Sequence, residues 1–251
     1  MRLEGKVALI TGAARGQGAA EARMFAQEGA KVILADVTDQ EGMAVAAEIA
    51  EAGGDALYVH LDVTNEDEWE SAVKSAVASF GKLDILVNNA AAPMGADRVP
   101  MTDVDRDVFR WVVEVKVMGA FYLSQLMARQ LIAQKDGGLI VSISSMAGKT
   151  GSPNNLAYNA ANFALNGMTQ SMAKELGPHG ITVNAVCPGL IPTARWGDKD
   201  TDSAEKMAPI PAGRPGKFEE VAELIAFLCT PSSRYINGQA INIDGGRVTE
   251  H

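Results

Sequence analysis

The chain has 251 residues, 47% of them hydrophobic and 21% charged, with a formal net charge of −9. This is an ordinary globular composition, and the absence of a Lys/Arg cluster argues against a nucleic-acid-binding face. No apolar run is long enough to span a membrane, the N-terminus lacks the apolar core of a secretory leader, and Cys187, Cys229, His60, His179 and His251 form no disulfide-like or metal-ligand spacing, so the expected setting is a reducing cytoplasm.

Short β-branched apolar runs alternate with longer helical patterns. Strands are expected at 6–10, 31–35, 56–60, 84–87, 139–143, 181–186 and 240–243. Helices are expected at 17–28, 39–52, 66–80, 104–134, 155–176 and 218–229. Thr64 and Asn65, followed by Glu66, Asp67 and Glu68, look like a capped helix start, and Gly29, Gly81 and Gly177 look like helix stops. No linker, repeat or low-complexity tract interrupts the alternation, so one domain covering 1–251 is expected. Strand, helix, strand in repetition predicts right-handed crossovers and an open parallel sheet. Such sheets bind ligands beyond the C-terminal ends of their strands.

The first strand is followed by Thr11-Gly12-Ala13-Ala14-Arg15-Gly16-Gln17-Gly18. Glycines there permit a tight turn and close backbone approach to a diphosphate at a helix start. The second strand ends at Asp36, whose carboxylate suits ribose hydroxyls and repels a 2′-phosphate, favouring NAD over NADP. Arg15 is the competing residue, since it can pair with a phosphate. Asp62, with Val63 beside it, follows the third strand, either to accept an adenine amino group or to cap a turn. Asn88, Asn89, Ala90 and Ala91 end the fourth, where an asparagine can bridge strands and cofactor. Ser145 ends the fifth, Tyr158 lies thirteen residues later at a helix start, and Pro188-Gly189 follows the sixth. The irregular polar stretch 190–216 is expected to act as a substrate lid.

Together, TGxxxGxG, Asn-Asn-Ala, Ser145 with Tyr158 thirteen later, and Pro188-Gly189 resemble the short-chain dehydrogenase/reductase family, from about Lys6 to Gly246. The resemblance implies a single-domain, Rossmann-like, doubly wound parallel α/β sheet of about seven strands with helices on both faces. It implies a nicotinamide cofactor lined by Gly12, Arg15, Gly16, Gln17, Gly18, Asp36, Asp62, Val63, Asn89, Ala90, Tyr158, Asn162, Pro188, Gly189 and Ile191, with Thr193 holding the carboxamide. Ser145 would hydrogen-bond the substrate oxygen and Tyr158 would exchange a proton with it. Tetramers or dimers built on the two long helices are the implied assemblies.

Two positions depart from the family's pattern. Asn162 stands four residues after Tyr158, where the family has a lysine, and Lys116 stands in the preceding helix, where the family has an asparagine. A phenol keeps its proton to about pH 10 unless a cation or hydrogen bond favours the phenolate. Asn162 cannot supply charge, whereas the flexible Lys116 side chain can. The expected catalytic set is therefore Lys116, Ser145, Tyr158 and Asn162. A smaller departure is Ala91, where glycine is usual.

Expected chamber residues are Pro93, Met94, Met146, Leu190, Trp196 and Met207, mostly apolar, which suits a small hydrophobic secondary alcohol or ketone. Fold alone leaves open a non-redox isomerase or lyase on the same scaffold, or a nucleotide-binding protein with weakened catalysis.

Overall fold

Strand β1 (Val7–Thr11) is buried at every position, as is β4 (Ile85–Asn88) beside it. Continuous apolar runs of this kind form where both faces of a sheet are covered. The computed structural model describes residues 1–92, 95–192 and 207–249. Its remaining strands are β2 (Lys31–Asp36), β3 (Ala56–His60), β5 (Gly138–Ile143), β6 (Ile181–Pro188) and β7 (Ala240–Ile243). They form one parallel sheet in the order β3-β2-β1-β4-β5-β6-β7.

The chain winds outward from β1 to β3, then returns to place β4 on the other side of β1. The crevice between the β1 and β4 ends is the topological switch point, where open α/β sheets bind ligands. Helices α1 (Gly16–Gln27), α2 (Asp39–Glu51) and α7 (Phe218–Leu228) cover one face, burying Ala22, Phe25, Val45, Ile49, Val221 and Ile225. Helices α3 (Glu66–Phe80), α5 (Gly119–Gln134) and α6 (Leu156–Leu176) cover the other with Trp69, Leu123, Met127, Leu131 and Leu176. The Asn65 side chain accepts from Asp67 N–H at the start of α3, and Gly81 closes it in a left-handed conformation, as the local residues predict.

One expectation needs correction. The helix expected over 104–134 is three pieces: α4 (Arg106–Val113), a π turn (Glu114–Met118) and α5. The π turn adds a residue to one helical turn without interrupting the apolar pattern, so nothing in the sequence marks it. Gly177 ends α6 as expected, in a right-handed conformation: the chain continues through a 3₁₀ turn (Gly177–His179) and reverses at Gly180, with φ +72°. No described helix is long and apolar enough to cross a membrane. Both cysteines are free thiols.

Candidate active site

The turn after β1 is shaped by what a side chain would strike. A Cβ on Gly18 would lie 2.3 Å from the Gly12 carbonyl oxygen and 2.6 Å from Asn89 Nδ2. One on Gly12, at φ +66°, would lie 3.0 Å from Ala90 Cα. Asn89 donates from Nδ2 to the carbonyls of Thr11 (2.9 Å) and Gly12 (3.0 Å), while the Asn89 and Ala90 N–H groups donate to Thr11 Oγ1. The ends of β1 and β4 are thereby tied across the switch point, as expected of Asn89. Thr11, which the sequence does not single out, is the hub of that tie. Gly18→Ala is expected to cost about 1–3 kcal/mol through overpacking against backbone that cannot yield. A lower denaturant midpoint, with loss of dinucleotide binding, checks this.

At the β2 end, Asp36 Oδ2 accepts from Ala14 N–H at 3.0 Å, and Oδ1 accepts from Thr38 N–H and Oγ1 at 3.0 and 2.8 Å. The carboxylate is held in place with acceptor capacity to spare. Tyr58 reaches both the Asp36 carbonyl (2.7 Å) and Asp39 Oδ1 (2.8 Å), and His60 Nδ1 lies 2.7 Å from the same carboxylate. The Asp39 hydrogen bond raises the His60 pKa above its ordinary value. Asp62 caps the turn after β3, accepting from Thr64 N–H and Oγ1 through Oδ1. Val63 is buried, with its carbonyl on Trp69 Nε1. Arg15 precedes α1 in extended conformation and makes no side-chain cap.

Three elements meet around Tyr158, in the first turn of α6. Ser145 follows β5, and its hydroxyl accepts from Ala147 N–H at 3.1 Å. The π turn carries Lys116 into the interior, 4% exposed. Its Nζ donates to the carbonyl of Ile143 at 3.0 Å and lies 5.8 Å from the centroid of the Tyr158 ring. That is within the range of a cation–π contact. Packing of Val112, Val115 and Val117 with Ala157 and Ala161 holds the π turn against the start of α6. Among the described residues, none hydrogen-bonds the Tyr158 hydroxyl.

Asn162 is fully buried. Its Nδ2 donates back to the Tyr158 carbonyl at 2.8 Å, and Oδ1 has no hydrogen-bond partner. The side chain lies along its own helix instead of reaching to the phenol. Behind the site, Asn166 Nδ2 donates to the Gly148 carbonyl at 2.8 Å, and Cys187 is a buried thiol whose pKa burial raises. Ile143 as amine acceptor and Asn166 as a brace carry no sequence signal, because each acts through a contact made only in the fold.

Beyond β6, Gly189 N–H donates to Ile243 O, and a Cβ on Gly189 would lie 2.7 Å from Asp244 Cα. Pro188 is the last residue of β6, and Leu190 and Ile191 are buried. Gly216 N–H donates to the Leu190 carbonyl at 2.9 Å, so the two ends of the 190–216 segment are pinned together. Thr193, Pro93, Met94 and Trp196 lie outside the described residues, as does 193–206 of the expected lid. No cluster of metal-ligating side chains stands among the described residues.

The sheet order and the glycine turn at its switch point define an open, doubly wound α/β protein of the dinucleotide-binding class. A family model described as enoyl-(acyl carrier protein) reductase matches residues 12–247. The 3-oxoacyl-acyl-carrier-protein reductase FabG of Thermotoga maritima is 42% identical over 99% of this chain and all of its own. The trans-4-hydroxycyclohexanecarboxylate dehydrogenase of Sinomonas cyclohexanicum is 41% identical over 98% of this chain and 94% of its own. The crystal structure of acetoin dehydrogenase from Enterobacter cloacae superposes with a TM-score of 0.87 at 38% identity, covering 97% of this chain and 95% of that one. The chain belongs to the short-chain dehydrogenase/reductase family, whose members are oxidoreductases that use nicotinamide cofactors.

Proposed function

We propose that this protein interconverts a secondary alcohol and a ketone with NAD, and that Lys116 supplies the positive charge for a catalytic Tyr158. The observation that carries this reading is the Lys116 ammonium, buried and 5.8 Å from the Tyr158 ring centroid. A cation in a buried setting is little screened by solvent, so its field acts on the charge that the phenol oxygen develops during proton transfer. The Ile143 carbonyl, 3.0 Å from Nζ, keeps the amine in place. The Tyr158 hydroxyl passes its proton to the substrate oxygen in reduction and takes it back in oxidation. Ser145 hydrogen-bonds that oxygen and fixes it against the phenol. Asn162 stiffens the first turn of α6 through the Tyr158 carbonyl and offers its partnerless Oδ1 as an acceptor.

The residues present fit a dinucleotide: the glycines let the turn pack closely on Asn89 and Ala90 at the switch point and keep its own side chains out of the way, and the buried Asn162 Oδ1 waits for a donor such as a ribose hydroxyl. Gly12, Arg15, Gly16, Gln17, Gly18, Asp36, Asp62, Val63, Asn89, Ala90, Pro188, Gly189, Ile191 and Thr193 would hold it. When bound, the nicotinamide supplies or accepts the hydride. Asp36, fixed by Ala14 and Thr38, favours NAD over NADP because a 2′-phosphate would meet its carboxylate. Trp111, Leu156 and Phe163 expose 43%, 42% and 47% of their surface on α4 and α6, which supports a homo-oligomer built on those helices. Sedimentation as a monomer would remove that part of the reading.

The test is nicotinamide absorbance across a panel of small hydrophobic secondary alcohols and ketones with NAD and NADP. Turnover with NAD is expected. Exchange of a ketone's α-hydrogens without cofactor turnover would instead indicate non-redox proton transfer. Asp36→Ala is expected to move the NAD-to-NADP ratio of kcat/KM toward NADP by at least about tenfold, since a like-charge encounter is removed. An unchanged ratio would show that cofactor choice lies elsewhere.

A further inference from the structure

Glu21 sits one helical turn after Gln17 on α1 and is fully buried, 0% exposed. Its Oε1 accepts from Gln17 Nε2 at 3.0 Å, and Oε2 has no hydrogen-bond partner. Gln17 lies between Gly16 and Gly18 in the first turn of α1, and no side chain caps the helix there. A carboxylate buried without a cation is costly, whereas the neutral acid is far less so. A group so placed beside a cofactor-binding turn calls for a role other than packing.

We propose that Glu21 is a positioning residue for dinucleotide binding: as the neutral acid it orients Gln17 and leaves the start of α1 receptive to a diphosphate, and its ionisation opposes that anion. The inference rests on the reading above that this turn holds a dinucleotide. A buried carboxylate on α1 and an anion at the start of the same helix repel more strongly than they would in solution, because protein rather than water surrounds the carboxylate. Reciprocity then requires that dinucleotide binding promote proton uptake by Glu21.

Burial raises the Glu21 pKa to about 8, with the Gln17 hydrogen bond acting in the opposite sense. The carboxyl is therefore neutral below that pH, and affinity is lost as pH rises through it. From α7 the titratable group that interacts with Glu21 is the Cys229 thiol, itself raised by burial and by Glu21, while Lys6 acts on that thiol in the opposite direction. Ion pairs on and beside the elements packed around α1 are Arg23–Glu48, Arg2–Glu223 and Arg214–Glu220, and Glu41 and Glu51 on α2 and Glu219 on α7 are further acids of those helices. His60 titrates at the Asp36 end of the cleft and needs its own control.

The experiment is NADH binding, followed by fluorescence, from about pH 6 to about pH 10, bracketing that midpoint. The wild-type Kd is expected to rise at least about fivefold across the range. Glu21→Gln, which keeps a neutral side chain of the same length, should retain the low-pH affinity and lose the slope. His60→Gln should retain the slope. Independently of any variant, calorimetry of NADH binding near pH 8 in buffers of different ionisation enthalpy should record proton uptake. Equal slopes in wild type and Glu21→Gln, a slope abolished by His60→Gln, or no proton uptake would each overturn the inference. Absence of NADH binding even at low pH would sink the underlying functional reading, whereas tight binding without a slope sinks this inference alone.

Discussion

Lys116→Met is expected to lower kcat by at least about 10²-fold, the usual worth of a general acid–base contribution. Methionine keeps the apolar stem and removes the charge, so the packing of the π turn on α6 is preserved. The Kd for NADH should change little, because the amine is held by Ile143 and faces the Tyr158 ring. A structural role alone would show as a lower melting temperature with kcat intact. Added ethylammonium should restore part of the lost rate in the smaller Lys116→Ala variant, because the deleted stem leaves room for it. Full activity in Lys116→Met would remove the cation from the proposed mechanism.

The reciprocal exchange sharpens this test. Lys116→Asn alone and Asn162→Lys alone each leave the site with an unusual number of charges: none in the first case, two in the second. The double variant returns one ammonium to the neighbourhood of the phenol. Its activity is expected to exceed the product of the single effects, and the excess measures the coupling between the two positions. Additive effects would mean that the two residues act independently.

Tyr158→Phe is expected to reduce turnover by about 10²- to 10⁴-fold while leaving stability unchanged. The separation is clean because no described residue hydrogen-bonds the hydroxyl, whereas the ring that faces the Lys116 ammonium is retained. Thermal unfolding and steady-state kinetics on the same preparation check both halves. Turnover equal to wild type would exclude Tyr158 as the proton donor. A large fall in melting temperature would mean that the hydroxyl has a structural partner.

Much of the fold is legible in the chain because the relevant interactions are local. Apolar runs such as 6–10 and 31–35 can be buried on both faces only as central parallel strands, and the acids after Asn65 suit only a helix start. The glycine turn is legible for a similar reason: Gly12 requires a positive φ, and Gly18 admits no Cβ. Asp36 and Asn89 stand out because strand ends are where such sheets bind ligands.

Other features could be known only from the folded chain. The sequence by itself determined the alternation of strands and helices, the glycine-rich turn after β1, the thirteen-residue spacing of Ser145 and Tyr158, and the placing of a lysine at 116 and an asparagine at 162. It did not determine that Lys116 turns inward. That outcome depends on the π turn, on the contact of Val112 and Val115 with Ala157 and Ala161, and on a carbonyl offered by the end of β5. Nor did it reveal Glu21 as a buried acid, because helical spacing alone does not say which side of α1 meets α7. Short-range patterns specify elements, since turn sterics and helix periodicity act within a few residues. Whether an amine on one helix meets a phenol on another depends on how those helices cross over the sheet, and that crossing is decided by contacts among residues far apart in the chain.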